Sequence, residues 1–201
     1  DLHYIQVPYK KDPDGGSHRN NWEYRDVPIY WPHEVLKFIF DEVGVAVPLT
    51  ELRKYWENAR EHGLPWAKDS ADDAQPRIPI KLFGDDATYN QQGDKFLGFI
   101  ISCPLWRPNS GRNSRWPVAV ISLYNSLGYP TLHPVLRNLV WSLNVAFDVP
   151  LPRTGHVFQV TELGGDWKNT TDFISSVVDE NWSDLQVAEM YKTGKGFLRS
   201  H

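Results

Sequence analysis

Ile78-Pro79-Ile80-Lys81-Leu82-Phe83-Gly84-Asp85-Asp86-Ala87 joins an apolar run to a glycine and two acids. The run predicts a β-strand over 78–83, closed by the turn material Gly84-Asp85-Asp86. Two further apolar runs follow, 95–103 and 116–124, nearly continuous as in strands covered on both faces. Thr131 to Phe147 reads as a helix. Thr131 can cap it, His133-Pro134 lies in its first turn, and Val135, Leu136, Leu139, Val140, Leu143 and Phe147 recur at helical spacing. Pro150 and Pro152 end it. A fourth strand over 156–163 is stopped by Gly164-Gly165-Asp166, and a last helix is expected from about Thr170 to Asn181.

Upstream, residues 68–77 are polar and aperiodic, and read as a linker. They divide the chain into 1–75, an N-terminal loop and two-helix appendage, and 76–201, the α/β part. Trp31-Pro32-His33-Glu34 opens the first helix, with Pro where a missing N–H does no harm, and Gly44 stops it. The second begins after Pro48, carries Leu52, Tyr55, Trp56 and Ala59 on one stripe, and ends at Gly63. Residues 1–30 hold turn formers and little periodicity, and read as a surface segment.

The chain has 201 residues, 41% of them hydrophobic and 23% charged, enough apolar material for a core and too much for wholesale disorder. No apolar run is long enough for a transmembrane helix. One Cys and one Met exclude a disulfide framework and a Cys-built zinc site. The net charge of −4 is not that of a strongly basic nucleic-acid binder. Charge is uneven, however: residues 1–100 hold 12 Lys and Arg against 17 Asp and Glu, and residues 101–201 hold 9 against 8. No targeting signal is visible, and the chain reads as a fragment of a longer protein.

The expected order is strand, strand, strand, helix, strand, helix, the order of a ribonuclease-H-like core. The fold class predicted is therefore α/β: a partial core of that type with an N-terminal helical appendage. Asp85 and Asp166, 81 positions apart, each follow a glycine at a strand end. In that core the first and fourth strands are neighbours, so acids there approach one another. Paired carboxylates can hold one or two Mg²⁺ or Mn²⁺ ions through oxygen. Two such ions activate the attacking oxygen and stabilise the leaving one in phosphodiester cleavage. Strand neighbours face opposite ways, so of Asp85 and Asp86 only one should enter the site, with Asp85 favoured and Asp86 an additional candidate ligand. Gly-Asp pairs are also ordinary turn material, which leaves a plain α/β domain as an alternative.

Arg107, Arg112 and Arg115 lie in a Pro/Asn/Ser/Gly loop beside Trp106 and Trp116. Cations with aromatics can grip phosphates and stack on bases; a solvated hairpin loop has the same composition. Lys168 is a candidate for neutralising a phosphate near the acids, or a solvated lysine at a helix start. The seven His show no metal-ligand spacing, and Cys103, in an apolar strand without a neighbouring base, reads as an inert buried thiol.

Several stretches carry a family resemblance. They are residues 80–87, Gly93-Asp94-Lys95-Phe96-Leu97, Ser102-Cys103-Pro104-Leu105, Thr131-Leu132-His133-Pro134, Trp141-Ser142-Leu143-Asn144 and residues 162–168. Upstream, Trp31-Pro32-His33-Glu34, Tyr55-Trp56 and Gly63-Leu64-Pro65-Trp66-Ala67 belong with them. Over roughly residues 30–175 the chain resembles an expanded, uncharacterised family of transposon-derived proteins from dinoflagellate genomes. The resemblance implies a DDE-type transposase-like core, with Asp85 the first catalytic acid and Asp166 the second. It implies divalent-metal-dependent DNA cleavage or strand transfer, active or decayed, in an intracellular, nuclear setting. The alternative is a catalytically inactive nucleic-acid-binding or scaffolding module on the same fold. Such cores need a third acid, and Glu180, Asp184 and Glu189 are the nearby acids, none of them assigned.

Overall fold

The computed structural model describes residues 1–12, 21–67, 76–91, 93–108, 110–111 and 113–165. Its centre is a six-stranded mixed sheet in the order β1-β2-β5-β4-β3-β6. The strands are β1 (His3–Lys10), β2 (Trp22–Ile29), β3 (Ile78–Thr88), β4 (Lys95–Ser102), β5 (Trp116–Ser122) and β6 (Phe158–Gly165). Helix α1 (Pro32–Lys37) runs on into a wider π-type turn, Phe38–Glu42; α2 is Leu49–Glu61 and α3 is Tyr129–Asp148. None of the described helices is long and apolar enough to cross a membrane.

β3, β4 and β5 form an antiparallel meander. The chain then crosses through α3 and returns as β6, parallel to β3. α3 packs against α1, β1 and β6. Alternation along the strands sends Ile80, Leu82, Leu97, Phe99, Ile101 and Ile121 into the buried core that also holds Leu36, Val135, Leu136 and Leu139. Burying one such side chain contributes about 1.5–3 kcal/mol before conformational entropy is subtracted. The other face of the meander carries the half-buried Phe83 and Ile100 and the exposed Val120.

Three expectations are corrected. Residues 1–30 are not a surface segment throughout: β1 and β2 pair over eight rungs, from His3–Ile29 to Lys10–Trp22. Ile29 then pairs with Ala119, so the hairpin extends the same sheet, and Val7, Tyr9, Val27 and Ile29 are buried in its core. β3 does not stop at Phe83 but stays extended to Thr88, because Asp85, Asp86 and Ala87 are held opposite Gly98, Leu97 and Phe96. α3 begins two residues early, after Gly128, and Thr131 makes no cap. The Thr131 hydroxyl instead accepts from Leu127 N–H (2.8 Å) and donates to the Pro8 carbonyl (2.7 Å), fastening α3 to β1. Pro134 therefore sits inside the helix, with its carbonyl accepting from the Asn138 amide (2.8 Å). The helix expected at 170–181 and most of the linker, residues 68–75, lie outside the described residues.

Candidate functional site

The two acids of the Gly84-Asp85-Asp86 motif point to opposite faces of β3, as strand alternation requires. Asp85 is exposed on the face away from α3, opposite Gly98. One of its carboxylate oxygens accepts from the Asp86 N–H (3.0 Å), and it makes no ion pair among the described residues. Asp86 lies on the helix-covered face beside Leu97, and its two carboxylate oxygens are 3.1 and 3.2 Å from Lys95 Nζ. That pair is partly exposed and contributes up to about 1 kcal/mol. It also supplies Asp86 with the positive partner that a metal would otherwise provide.

The parallel ladder brings β6 alongside β3. An extra residue between the partners of Ile80 and Lys81, Thr161, bulges from β6, and its Oγ1 accepts a hydrogen bond from the Tyr55 hydroxyl of α2 (2.8 Å). Beyond the bulge Lys81 pairs with Glu162 in an ion pair on the Asp85 face. The last rung joins Gly84 to Gly165. Gly165 has φ +125°, and a Cβ there would lie 1.7 Å from the Gly84 carbonyl oxygen, so only glycine fits this rung. The glycine at 165 is thus demanded by the close approach of the two strands.

Asp166, Lys168 and Arg112 lie outside the described residues. Among the described residues no group of three or more His, Cys, Asp and Glu is placed to hold a metal ion. Arg107 and Arg115 are exposed, and Trp106 and Trp116 beside them stack at 5.5 Å between ring centroids. Their loop joins the end of β4 to the start of β5, next to Lys81; Asp85 lies four residues further along β3, about 13 Å away. The Arg loop and the acids therefore occupy different ends of the sheet.

Cys103 is buried, and desolvation pushes its thiol pKa up, which suits an inert core residue. His133 rests on the Tyr129 ring (5.3 Å) and His156 on Phe40 (6.1 Å). Sequence reading missed the two lysines that meet carboxylates, Lys95 and Lys81, since both contacts depend on strand register. It also missed a cleft at the Asp86 end of the sheet. Compared with known proteins, the chain matches no family model, no curated protein and no solved structure.

Proposed function

We propose that the chain carries a ribonuclease-H-like core acting on DNA by divalent-metal-dependent cleavage or strand transfer, as in a transposase-like nuclease, with Asp85 and Asp166 as the metal-holding acids. One observation carries the reading: the β3–β6 ladder ends on Gly84 and Gly165, the residues directly before those two acids. The order β5-β4-β3-β6, three antiparallel strands and then a parallel one reached through a helix, is the order of that core. It also agrees with the resemblance to transposon-derived proteins.

Asp85 suits a metal ligand, because its carboxylate is exposed and unclaimed by any cation among the described residues. Asp86 suits it poorly, because Lys95 holds both of its oxygens. Mg²⁺ or Mn²⁺ would supply Lewis-acid stabilisation of the phosphoryl oxygens. The chain's own contribution is positional. β3 is paired with β4 at Asp85 itself and with β6 as far as Gly84, which positions the Asp85 backbone, and the Lys81–Glu162 pair supports the register of β6 against it.

Calorimetric titration with Mn²⁺ tests the reading. Asp85→Asn should weaken binding by tenfold or more, while Asp86→Asn should leave it within twofold. Equal affinity in wild type and Asp85→Asn overturns the assignment. A second reading, an inactive nucleic-acid-binding module, is favoured by the exposed Arg107 and Arg115 beside the Trp106–Trp116 stack. It requires DNA binding that ignores metal, weakens with salt, and is lost in Arg107→Ala/Arg115→Ala.

A further inference from the structure

Three strand ends and one loop meet around an open cleft of about 360 Å³, lined in part by Lys10, Lys95, Tyr124 and Asn125. The volume lies in the range of small-molecule sites, about 300–1,000 Å³. Its walls are held by backbone. The Lys10 N–H donates to the Asn125 carbonyl (2.8 Å), and the Leu123 N–H to the Lys95 carbonyl (2.9 Å). An isolated bridge pairs Tyr9 with Ser126. The loop 123–126 thus ties β1 to β4 across the end of β5.

Three features of this cleft have no role in the packing. Lys10, at the end of β1, makes no ion pair among the described residues. Tyr124 is 49% exposed, with no aromatic partner among the described residues. Asn125 sits in the left-handed region (φ +60°), and its enclosed side-chain oxygen has no hydrogen-bond partner. A cation, a bare aromatic face and an unmet polar amide together match a nucleotide unit: phosphate, base, and sugar or base donor.

The surface next to the cleft continues the pattern. Trp22 is the register partner of Lys10, so both side chains lie on the outer face of the hairpin. Tyr24 follows on the same face and meets Trp22 edge-on at 5.1 Å. Both are exposed, at 44% and 59%. Of the acids, Asp94 also lines the cleft, its carboxylate accepting from the Asn90 amide (2.6 Å), and Asp86 is paired with Lys95.

We infer that this cleft and the adjoining hairpin face bind a single-stranded nucleic acid. Lys10 takes a backbone phosphate, Tyr124 stacks on a base, and Trp22 and Tyr24 stack on the next ones. The inference shares its substrate class with the function proposed above but needs neither a metal nor the Asp85 carboxylate.

Fluorescence anisotropy of a labelled oligothymidylate, in EDTA, separates the two. Lys10→Ala and Tyr124→Ala should each weaken binding by about tenfold. Lys10→Ala should also lower the slope of log affinity against log salt by about 0.7, the loss of one phosphate contact on a single strand, and Tyr124→Ala should not. A mere structural role for Lys10 would leave that slope alone. Thermal melts within a few degrees of wild type would show both variants folded. Thymidine monophosphate should compete far more weakly than the oligonucleotide. Absence of binding, or wild-type affinity in both variants, overturns the inference. So does loss of binding in Arg107→Ala/Arg115→Ala alone. In each case the Mn²⁺ titration of Asp85 is untouched.

Discussion

Gly165 and Gly164 look alike in sequence and differ sharply in what they tolerate. An Ala at 165 would combine a left-handed φ with a 1.7 Å clash against Gly84 backbone. Ala at 164 would approach only Lys81 Cε and Phe83 Cδ2, both at 3.0 Å, and the lysine end can move. Gly165→Ala should therefore cost about 2–4 kcal/mol, or rupture the last rung, while Gly164→Ala should cost about 1 kcal/mol or less. Urea denaturation midpoints of the two variants decide it. Asp41 is the other residue whose surroundings make a strong demand. It is buried in the turn after α1 and accepts from Arg153 N–H (3.2 Å), Thr154 N–H (3.1 Å) and Thr154 Oγ1 (2.8 Å). Desolvation pushes its pKa up, but the Thr154 hydroxyl, the two backbone N–H groups and the Arg153 charge outweigh this and hold it below the ordinary 3.8. Its stabilisation is complete above about pH 3.8 and is lost as pH falls through the lower folded value. Asp41→Ala strands two backbone donors and should cost about 2–4 kcal/mol at neutral pH, with a shallower acid-denaturation profile.

At the scale of elements, α1 and α3 are locked by an unusual contact. Ser142, fully buried in α3, accepts from the His33 N–H (3.0 Å) and bonds its Nδ1 (2.8 Å), so a hydroxyl from one helix satisfies the open N-terminus of another. Burial pushes the His33 pKa below 6.5; Glu34 opposes this and His3 adds to it. The ring is therefore harder to protonate folded than unfolded, and the unfolded chain binds more protons below about pH 6.5. Stability is full above that pH and falls as pH drops towards the folded value. Ser142→Ala should lower stability by about 1–2 kcal/mol, read as a melting-temperature drop at pH 7. The same scale shows what the sequence made legible. The apolar runs predict β4 and β5 to within two residues, and Pro32, Gly44, Pro48 and Gly63 bracket α1 and α2. The hairpin escapes because Pro8, Pro28 and the charges on its outer face mask an alternation of Ile5, Val7 and Tyr9. Pro8 lies in β1, the edge strand of the sheet, where a missing N–H is tolerated. The far half of β3 escapes because Gly84-Asp85-Asp86 has turn composition, and only pairing with β4 keeps it extended. Alternation does place Asp85 and Asp86 on opposite faces. Which one meets a lysine follows from register, which no local pattern encodes.

At the scale of the whole molecule, the sheet is assembled from pairings of very different reach. β1–β2, β3–β4 and β4–β5 join neighbours in the chain, whereas β3–β6 joins Ile78 to Phe158 and Gly84 to Gly165. That long closure carries the loop entropy of about 80 residues. Local hairpins can form first, and the parallel ladder is expected to close after the rate-limiting barrier has been crossed. Gly165→Ala should then speed unfolding roughly in proportion to its full stability loss and leave the refolding rate within twofold, measured by stopped-flow chevrons. The glycine rung before the acids thus acts as a latch on lifetime. Its strength sets how long the native chain persists once folded, and not how quickly it gets there.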